Sequence, residues 1–181
     1  MNVKVSSDKD VLTDAEALII PGVGSFGVAM NNISPFADII KDHVDSDKPL
    51  LGICLGLQVL FESSEETIDT PGLGLLRGDV KRFNLDSNFK IPHMGWNQIK
   101  INDTSDNNLS ILEGADNEYM YFVHSYYINP TDKEYITAYT DYSFDVPVAI
   151  GKDNLFALQF HPEKSGRAGL NILKNFVNLI D

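Results

Sequence analysis

An apolar run, Leu50-Leu51-Gly52-Ile53-Cys54, follows Pro49 and leads straight into Leu55-Gly56, and no other stretch restricts the fold of this chain as strongly. A run this short and this apolar, opened by a breaker, reads as a buried strand. Small residues two positions before and after Cys54 let the backbone turn sharply from that strand into a helix, so the cysteine stands on a tight corner with the helix N-terminus beneath it. The positive potential of a helix end favours the thiolate, which leads us to expect a lowered thiol pKa and a nucleophilic Cys54. Taken alone, a cysteine at the end of an apolar strand is more often a small core residue; the flanking glycines narrow that difference without closing it.

Around this corner, short apolar runs alternate with amphipathic stretches, the pattern of an α/β sheet. Ala17-Leu18-Ile19-Ile20, ending at Pro21-Gly22, reads as a second buried strand. Ser34-Pro35 has the form of an N-cap followed by proline at the first helical position, and Phe36, Ile39, Ile40 and Val44 then recur at helical spacing. Strand, helix, strand implies a parallel pair. Beyond Gly72, Gly74 and Gly78 the chain becomes richer in strand signals, at Asp79–Phe83, Asn97–Ile101, Tyr119–His124, Tyr135–Thr140 and Leu155–Phe160. Leu170, Leu173, Phe176, Val177 and Ile180 form the apolar stripe of a closing helix. The polar stretch Asn102–Asn108 reads as an exposed turn, and the 181 residues are expected to form one domain, 1–181.

Two further elements can carry chemistry. In Leu158-Gln159-Phe160-His161-Pro162-Glu163 the proline pushes His161 into extended geometry, and residues two apart in an extended segment face one side. His161 and Glu163 then form a base with its orienting carboxylate, which together with Cys54 supplies the three roles of a catalytic triad; alone, the segment reads as a surface turn with a solvated glutamate. The turn Pro21-Gly22-Val23-Gly24-Ser25-Phe26-Gly27 matches the spacing of a dinucleotide-binding loop. That reading fails, because Asp45 and Asp47 precede the next strand, whereas a ribose-binding acid belongs at its end. The alternative is an oxyanion site in which this flexible turn, at Gly22 and Val23, offers an N–H alongside that of Leu55; a plain strand-to-helix turn stays open.

Composition narrows the function classes. Net charge is −12, with no run of Lys or Arg to track a phosphate backbone, so nucleic acid is not an expected partner. One cysteine excludes an internal disulfide, Met1–Ser7 carries no signal-peptide run and no segment reaches membrane-spanning length. A cytoplasmic protein without membrane association is the expectation.

Gly52-Ile53-Cys54-Leu55-Gly56-Leu57-Gln58, taken with Phe160-His161-Pro162-Glu163-Lys164-Ser165, resembles the class I (triad) glutamine amidotransferases. Within that class, Pro21–Phe26, Pro92-His93-Met94-Gly95-Trp96-Asn97 and Tyr121-Phe122-Val123-His124-Ser125-Tyr126 are similar to the glutaminase subunits of imidazole glycerol phosphate synthases. The resemblance implies an open, mixed, largely parallel sheet flanked by helices in a flavodoxin-like three-layer arrangement, with a β-rich second half. It implies Cys54, His161 and Glu163 as the triad hydrolysing glutamine, and Gln58, His124, Ser125 and Tyr126 as substrate-binding residues. No cofactor or metal is implied. The implied partner is a (βα)8-barrel cyclase that consumes the ammonia and makes imidazole glycerol phosphate and an aminoimidazole carboxamide ribonucleotide, with Met94, Trp96, Tyr121 and Lys164 at the interface. Neither His43 nor His93 receives a role.

The family also opens with a strand and helix bearing an Asp-Tyr-Gly-x-Gly-Asn motif that this sequence lacks, and Val3-Lys4-Val5 resembles the family's second strand. A truncated or misplaced start is therefore the expectation. Two other classes fit parts of the pattern. A cysteine hydrolase of the same fold class, acting without a partner, needs only the corner; a non-catalytic binding subunit would have lost a triad residue, and none is lost, but the missing first unit keeps that reading open, as the shared triad does a glutaminase subunit of another amidotransferase.

Overall fold

The computed structural model describes residues 2–102 and 109–180. Its first half contains helix α1 (Lys9–Thr13), strand β1 (Leu18–Gly22), helices α2 (Phe26–Ile33) and α3 (Ala37–Asp45), strand β2 (Leu50–Cys54) and the short helix α4 (Leu55–Gln58). Strands β3 (Ser63–Ser64), β4 (Gly78–Arg82), β5 (His93–Ile101), β6 (Tyr119–His124), β7 (Tyr126–Pro130), β8 (Ile136–Asp141), β9 (Asp145–Lys152) and β10 (Leu155–Leu158) follow, and helix α5 (Gly166–Val177) closes the chain. Seven strands form one sheet in the order β1-β2-β10-β9-β8-β5-β6, while β3, β4 and β7 form a smaller one.

Alternation of side chains along the central strands explains the layering. Leu51, Ile53, Phe156 and Leu158 share a cluster with Ile172 and Phe176 of α5. Their neighbours Leu50, Leu155 and Ala157 belong to a second cluster with Ile40 of α3 and Leu57 of α4. Helices thus cover both sides of β2 and β10, which is why those two strands are apolar at every position.

The expected mixed sheet flanked by helices is found, with a smaller parallel share than anticipated. Strand β2 pairs in parallel with β1 and with β10, whereas the four remaining ladders of the large sheet are antiparallel. Parallel pairing requires a long crossover, and the connections β8–β9 and β9–β10 are too short to provide one. Strand β1 is half-buried and not fully buried as the sequence suggested, because it lies at the sheet edge, with Ile19 46% exposed. Ser34 ends α2, with its N–H bonded to the Met30 carbonyl, and a single 3-10 turn carries the chain into α3, so Ser34 does not cap α3. Val3-Lys4-Val5 is not a strand: Val5 is fully exposed, and no ladder partner lies beside these residues among those described. Of the polar stretch 102–108, residues 103–108 lie outside the described residues.

Close backbone approach at the strand–helix corner positions the site. A Cβ on Gly52 would stand 2.7 Å from the Gly56 carbonyl oxygen, and one on Gly56 would stand 1.8 Å from the Ile20 carbonyl oxygen. Both glycines are therefore demanded by space, one across the corner and one against β1. Cys54 between them has φ 55°, ψ −106°, a left-handed conformation that costs a non-glycine residue roughly 1–3 kcal/mol and persists only where surrounding contacts enforce it.

On the far side of the site, His93 and His124 face each other across β5 and β6, with His93 Nδ1 3.0 Å from His124 Nε2. His124 Nδ1 lies 2.8 Å from the Tyr126 carbonyl, which can only accept, so Nδ1 carries the proton and Nε2 accepts from His93. His93 Nε2 is then left to accept from Asn97 Nδ2 at 3.4 Å. The His93 ring lies stacked on Tyr142 and Phe122. Burial pushes the His93 pKa down to about 4; burial, outweighing the Tyr126 carbonyl, pushes that of His124 down to about 3.

Two outcomes follow from this frame. Gly56→Ala gains about 1 kcal/mol of helix propensity but forces β1 and α4 apart, and the overpacking penalty leaves a net loss of about 2 kcal/mol, read from urea denaturation. Both histidines fold neutral, whereas an unfolded histidine protonates near pH 6.5. The unfolded chain then binds more protons below that pH, so stability is held above it and lost as pH falls towards about 4 for His93 and about 3 for His124. The urea midpoint should drop between neutral pH and pH 4, at about 1.4 kcal/mol per pH unit for each histidine, and His93→Gln should make that slope shallower.

Candidate active site

Three segments converge at the carboxyl ends of adjacent parallel strands, where ligands of such sheets bind. Cys54 is the last residue of β2, and Gly22 at the end of β1 stands in register with it. His161 comes three residues after Leu158, which is itself the register partner of Ile53. A Cβ on Gly22 would stand 2.8 Å from that of Leu55, so the turn after β1 lies directly against the start of α4.

His161 has the extended geometry expected before proline, and Pro162–Lys164 forms a 3-10 turn that brings Glu163 back to it. Nδ1 of His161 lies 2.8 Å from Glu163 Oε1, the base-and-orienter arrangement anticipated from the sequence. The carboxylate fixes the tautomer with the proton on Nδ1, leaving Nε2 as a lone pair. Nε2 is buried and hydrogen-bonded to nothing, Cys54 included. Ser165 locks the backbone here: its hydroxyl donates to the His161 carbonyl at 2.6 Å and accepts from the Tyr121 N–H at 2.9 Å.

Cys54 is 7% exposed, and its thiol pKa is pushed up to about 11. The lowered value expected from the sequence is thus not found. Burial is the dominant cause and outweighs the Leu55 N–H and the Gln159 carboxamide, both of which favour the thiolate; Glu163 adds a small opposing charge effect and Lys164 a small favourable one. The helix whose N-terminal potential was to favour the thiolate spans only four residues, too few for a large end charge. Cys54 is therefore held as a protonated thiol.

Gln58 is a buried residue of α4. It is 5% exposed, and its Nε2 donates to the Tyr126 carbonyl at 3.2 Å and to Gln159 Oε1 at 3.1 Å. His124 is buried, whereas Ser125, between β6 and β7, and Tyr126, the first residue of β7, are half-buried. Gln159, to which the sequence reading gave no role, is fully buried, and its Nε2 lies 3.7 Å from Cys54 Sγ. The signal for it was a polar residue at the end of an otherwise apolar strand run, two positions before His161 and hence on the same side.

The residues assigned to an interface lie apart from this cluster but connect to it. Met94 and Trp96 are 61% and 56% exposed on β5, on either side of Gly95. Tyr121 is Trp96's cross-strand partner, its ring centroid 6.1 Å from Trp96, 6.4 Å from His161 and 5.8 Å from Lys164 Nζ. Buried His43 bonds through Nε2 to the Pro49 carbonyl, a structural role beneath α3. No group of side chains suited to a metal ion occurs among the described residues.

A family profile described as glutamine amidotransferase class-I matches residues 2–179. Imidazole glycerol phosphate synthase subunit HisH 1 of Methanococcus maripaludis is 47% identical over 186 residues, covering 99% of this chain and 88% of the relative. The HisH subunit of Geobacillus thermodenitrificans is 47% identical, covering 97% and 84%, and that of Methanothermobacter thermautotrophicus 48%, covering 97% and 85%. A crystal structure of a glutamine amidotransferase superposes with a TM-score of 0.74 at 20% identity, covering 99% of this chain and 87% of that one. With a family profile over nearly its whole length, relatives at this identity and a sheet that superposes, the chain belongs to the class I glutamine amidotransferases.

Proposed function

We propose that the chain is a glutaminase subunit of imidazole glycerol phosphate synthase, hydrolysing glutamine to glutamate and ammonia through Cys54, His161 and Glu163. The observation that carries this reading is the convergence of an enforced left-handed cysteine with a buried histidine whose outer nitrogen Glu163 holds and whose inner nitrogen is free to take a proton. Relatives bearing that subunit's name match at 46–48% identity over nearly the whole chain.

In this reading the thiol proton passes to His161 Nε2 as sulfur comes within hydrogen-bond reach, and the thiolate adds to the substrate's carboxamide carbon. Negative charge moves to the amide oxygen, where the N–H of Leu55 and those of the Gly22-Val23 turn serve as donors. His161 returns the proton to the leaving nitrogen, ammonia departs, and water cleaves the glutamyl thioester by the reverse use of the same base. Glu163 stabilises the imidazolium in both halves. Gln58, His124, Ser125 and Tyr126 hold the substrate; Gln58 Oε1 has no partner among the described residues and is the acceptor left to meet it.

Ammonia released into water at neutral pH would be protonated and lose its nucleophilicity, so a sealed partner surface makes chemical sense. We assign that surface to Met94, Trp96, Tyr121 and Lys164, because exposed Met and Trp are typical of interface cores and Tyr121 links them to His161. The partner is a (βα)8-barrel cyclase that makes imidazole glycerol phosphate and an aminoimidazole carboxamide ribonucleotide, in histidine biosynthesis. Residues 1–181 act as one amidotransferase domain, in the cytoplasm, where a catalytic thiol stays reduced.

Glutamate release from glutamine, by the chain alone and with the cyclase plus its ligand, tests this. Strong stimulation by the partner, absent in Cys54→Ala, is expected; a folded chain silent under every condition would overturn the reading. Glu163→Gln should lower kcat roughly 100-fold by removing the charge that balances the imidazolium. Trp96→Ala should weaken the cyclase complex about 30-fold or more by calorimetry, the size of a hot-spot loss.

A further inference from the structure

Cys54 and His161 do not share a hydrogen bond, and the side-chain group that does reach the sulfur is the carboxamide of Gln159. Which end of that carboxamide faces sulfur is decided by a chain of donors and acceptors. The Tyr126 carbonyl can only accept, so Gln58 must turn its amino group towards it. The same amino group lies 3.1 Å from Gln159, which must present its oxygen there. Gln159 is consequently left with its amino group towards Cys54 Sγ, at 3.7 Å. Its side chain is fully buried, so no water competes for either end.

We propose that Gln159 is a thiolate-stabilising residue of this active site, with its N–H donor aimed at Cys54 by Gln58 acting as a positioning residue. The step it assists is the transfer of the thiol proton to His161 Nε2, which leaves negative charge on a buried sulfur that the Leu55 N–H also faces. An N–H donor bonds a thiolate more strongly than a thiol, so it lowers the cost of that charge. A buried carboxamide facing sulfur oxygen-first would raise the cost instead, which makes the orientation supplied by Gln58 as important as the residue itself. The proposal rests on Cys54 being the nucleophile of the reading above, and it adds a role for Gln58 that needs no substrate.

The chain has one cysteine, so alkylation of the full protein by iodoacetamide, followed by mass spectrometry, reports Cys54 alone. Gln159→Met keeps length and volume and removes the donor. If the thiol pKa rises by about one unit, the thiolate fraction falls about tenfold at a pH below the pKa. Higher intrinsic nucleophilicity restores about threefold, so alkylation should be about threefold slower. Gln159→Glu keeps the shape and brings a carboxylate to the sulfur, and should slow alkylation further. Gln58→Leu, whose hydrogen bonds do not reach Cys54, should slow it in the same direction, and the Gln58→Leu/Gln159→Met pair should be no slower than Gln159→Met. Circular dichroism confirms which variants are folded, and any one folded variant decides the direction. Unchanged alkylation in the folded single variants overturns the proposal, as does additivity of the pair. Retained glutaminase activity in Cys54→Ala is a different failure, that of the triad itself.

Discussion

The approach of the Ile20 carbonyl to Gly56 is the constraint on which the remainder of the site depends. With only hydrogen on the Gly56 Cα, helix α4 can start directly against β1, and with only hydrogen on Gly52 the chain can fold back on itself within four residues. That double contact enforces the left-handed Cys54, and it also seats Gly22 against Leu55, placing the turn after β1 beside Cys54. A larger residue at either glycine would open the corner and move two elements of the site together. The strain at Cys54 is thus held by backbone packing between β1, β2 and α4, not by any single side-chain contact.

The same packing buries the sulfur, and burial sets the terms of its chemistry. Burial holds the thiol pKa up at about 11, so the sulfur stays protonated at neutral pH. The stabilising groups around it, the Leu55 N–H and Gln159, compensate part of the desolvation cost. In the function proposed above the rest falls to proton transfer to His161, whose tautomer Glu163 fixes. Since Glu163 is half-exposed while His161 is buried, the pair places its charged member at the rim and its basic nitrogen inside.

The Cys54 corner and the His161–Glu163 pair were legible in the sequence because each part is local. Glycines flanking Cys54 describe one corner, and His161-Pro162-Glu163 describes one turn, so neither depends on knowing the fold. Gln159 was passed over because its identity as a ligand of sulfur depends on β10 lying beside β2, a pairing of residues about a hundred positions apart. Strands β7 and β9 escaped for other reasons. Only Ser125 separates β6 from β7, so the change of sheet at that residue leaves no break in the apolar pattern. In β9, Pro147 and Gly151 imitate turn signals within a strand that is buried along most of its length. The thiol pKa was misjudged because a helix end can be read from sequence, whereas the depth at which a residue lies cannot.

Polar groups beneath the site form one connected set. From Asn97 the donors run through His93 and His124 to the Tyr126 carbonyl, and from Gln58 a second branch reaches the same carbonyl and continues through Gln159 to the sulfur. Both lone pairs of that carbonyl are used, and each tautomer and amide orientation follows from the one before it. The set has a single arrangement, because reversing any member would leave two donors or two acceptors facing each other in a medium where that costs about 1–3 kcal/mol. Against this background one atom stands out: Nε2 of His161 is the single buried side-chain nitrogen or oxygen, among the described residues, without a hydrogen bond. Leaving it unpaired costs stability that the surrounding core does not need to lose. The cost is incurred at the atom that, in the function proposed above, accepts the thiol proton and gives it up again, and a permanent partner there would block both transfers.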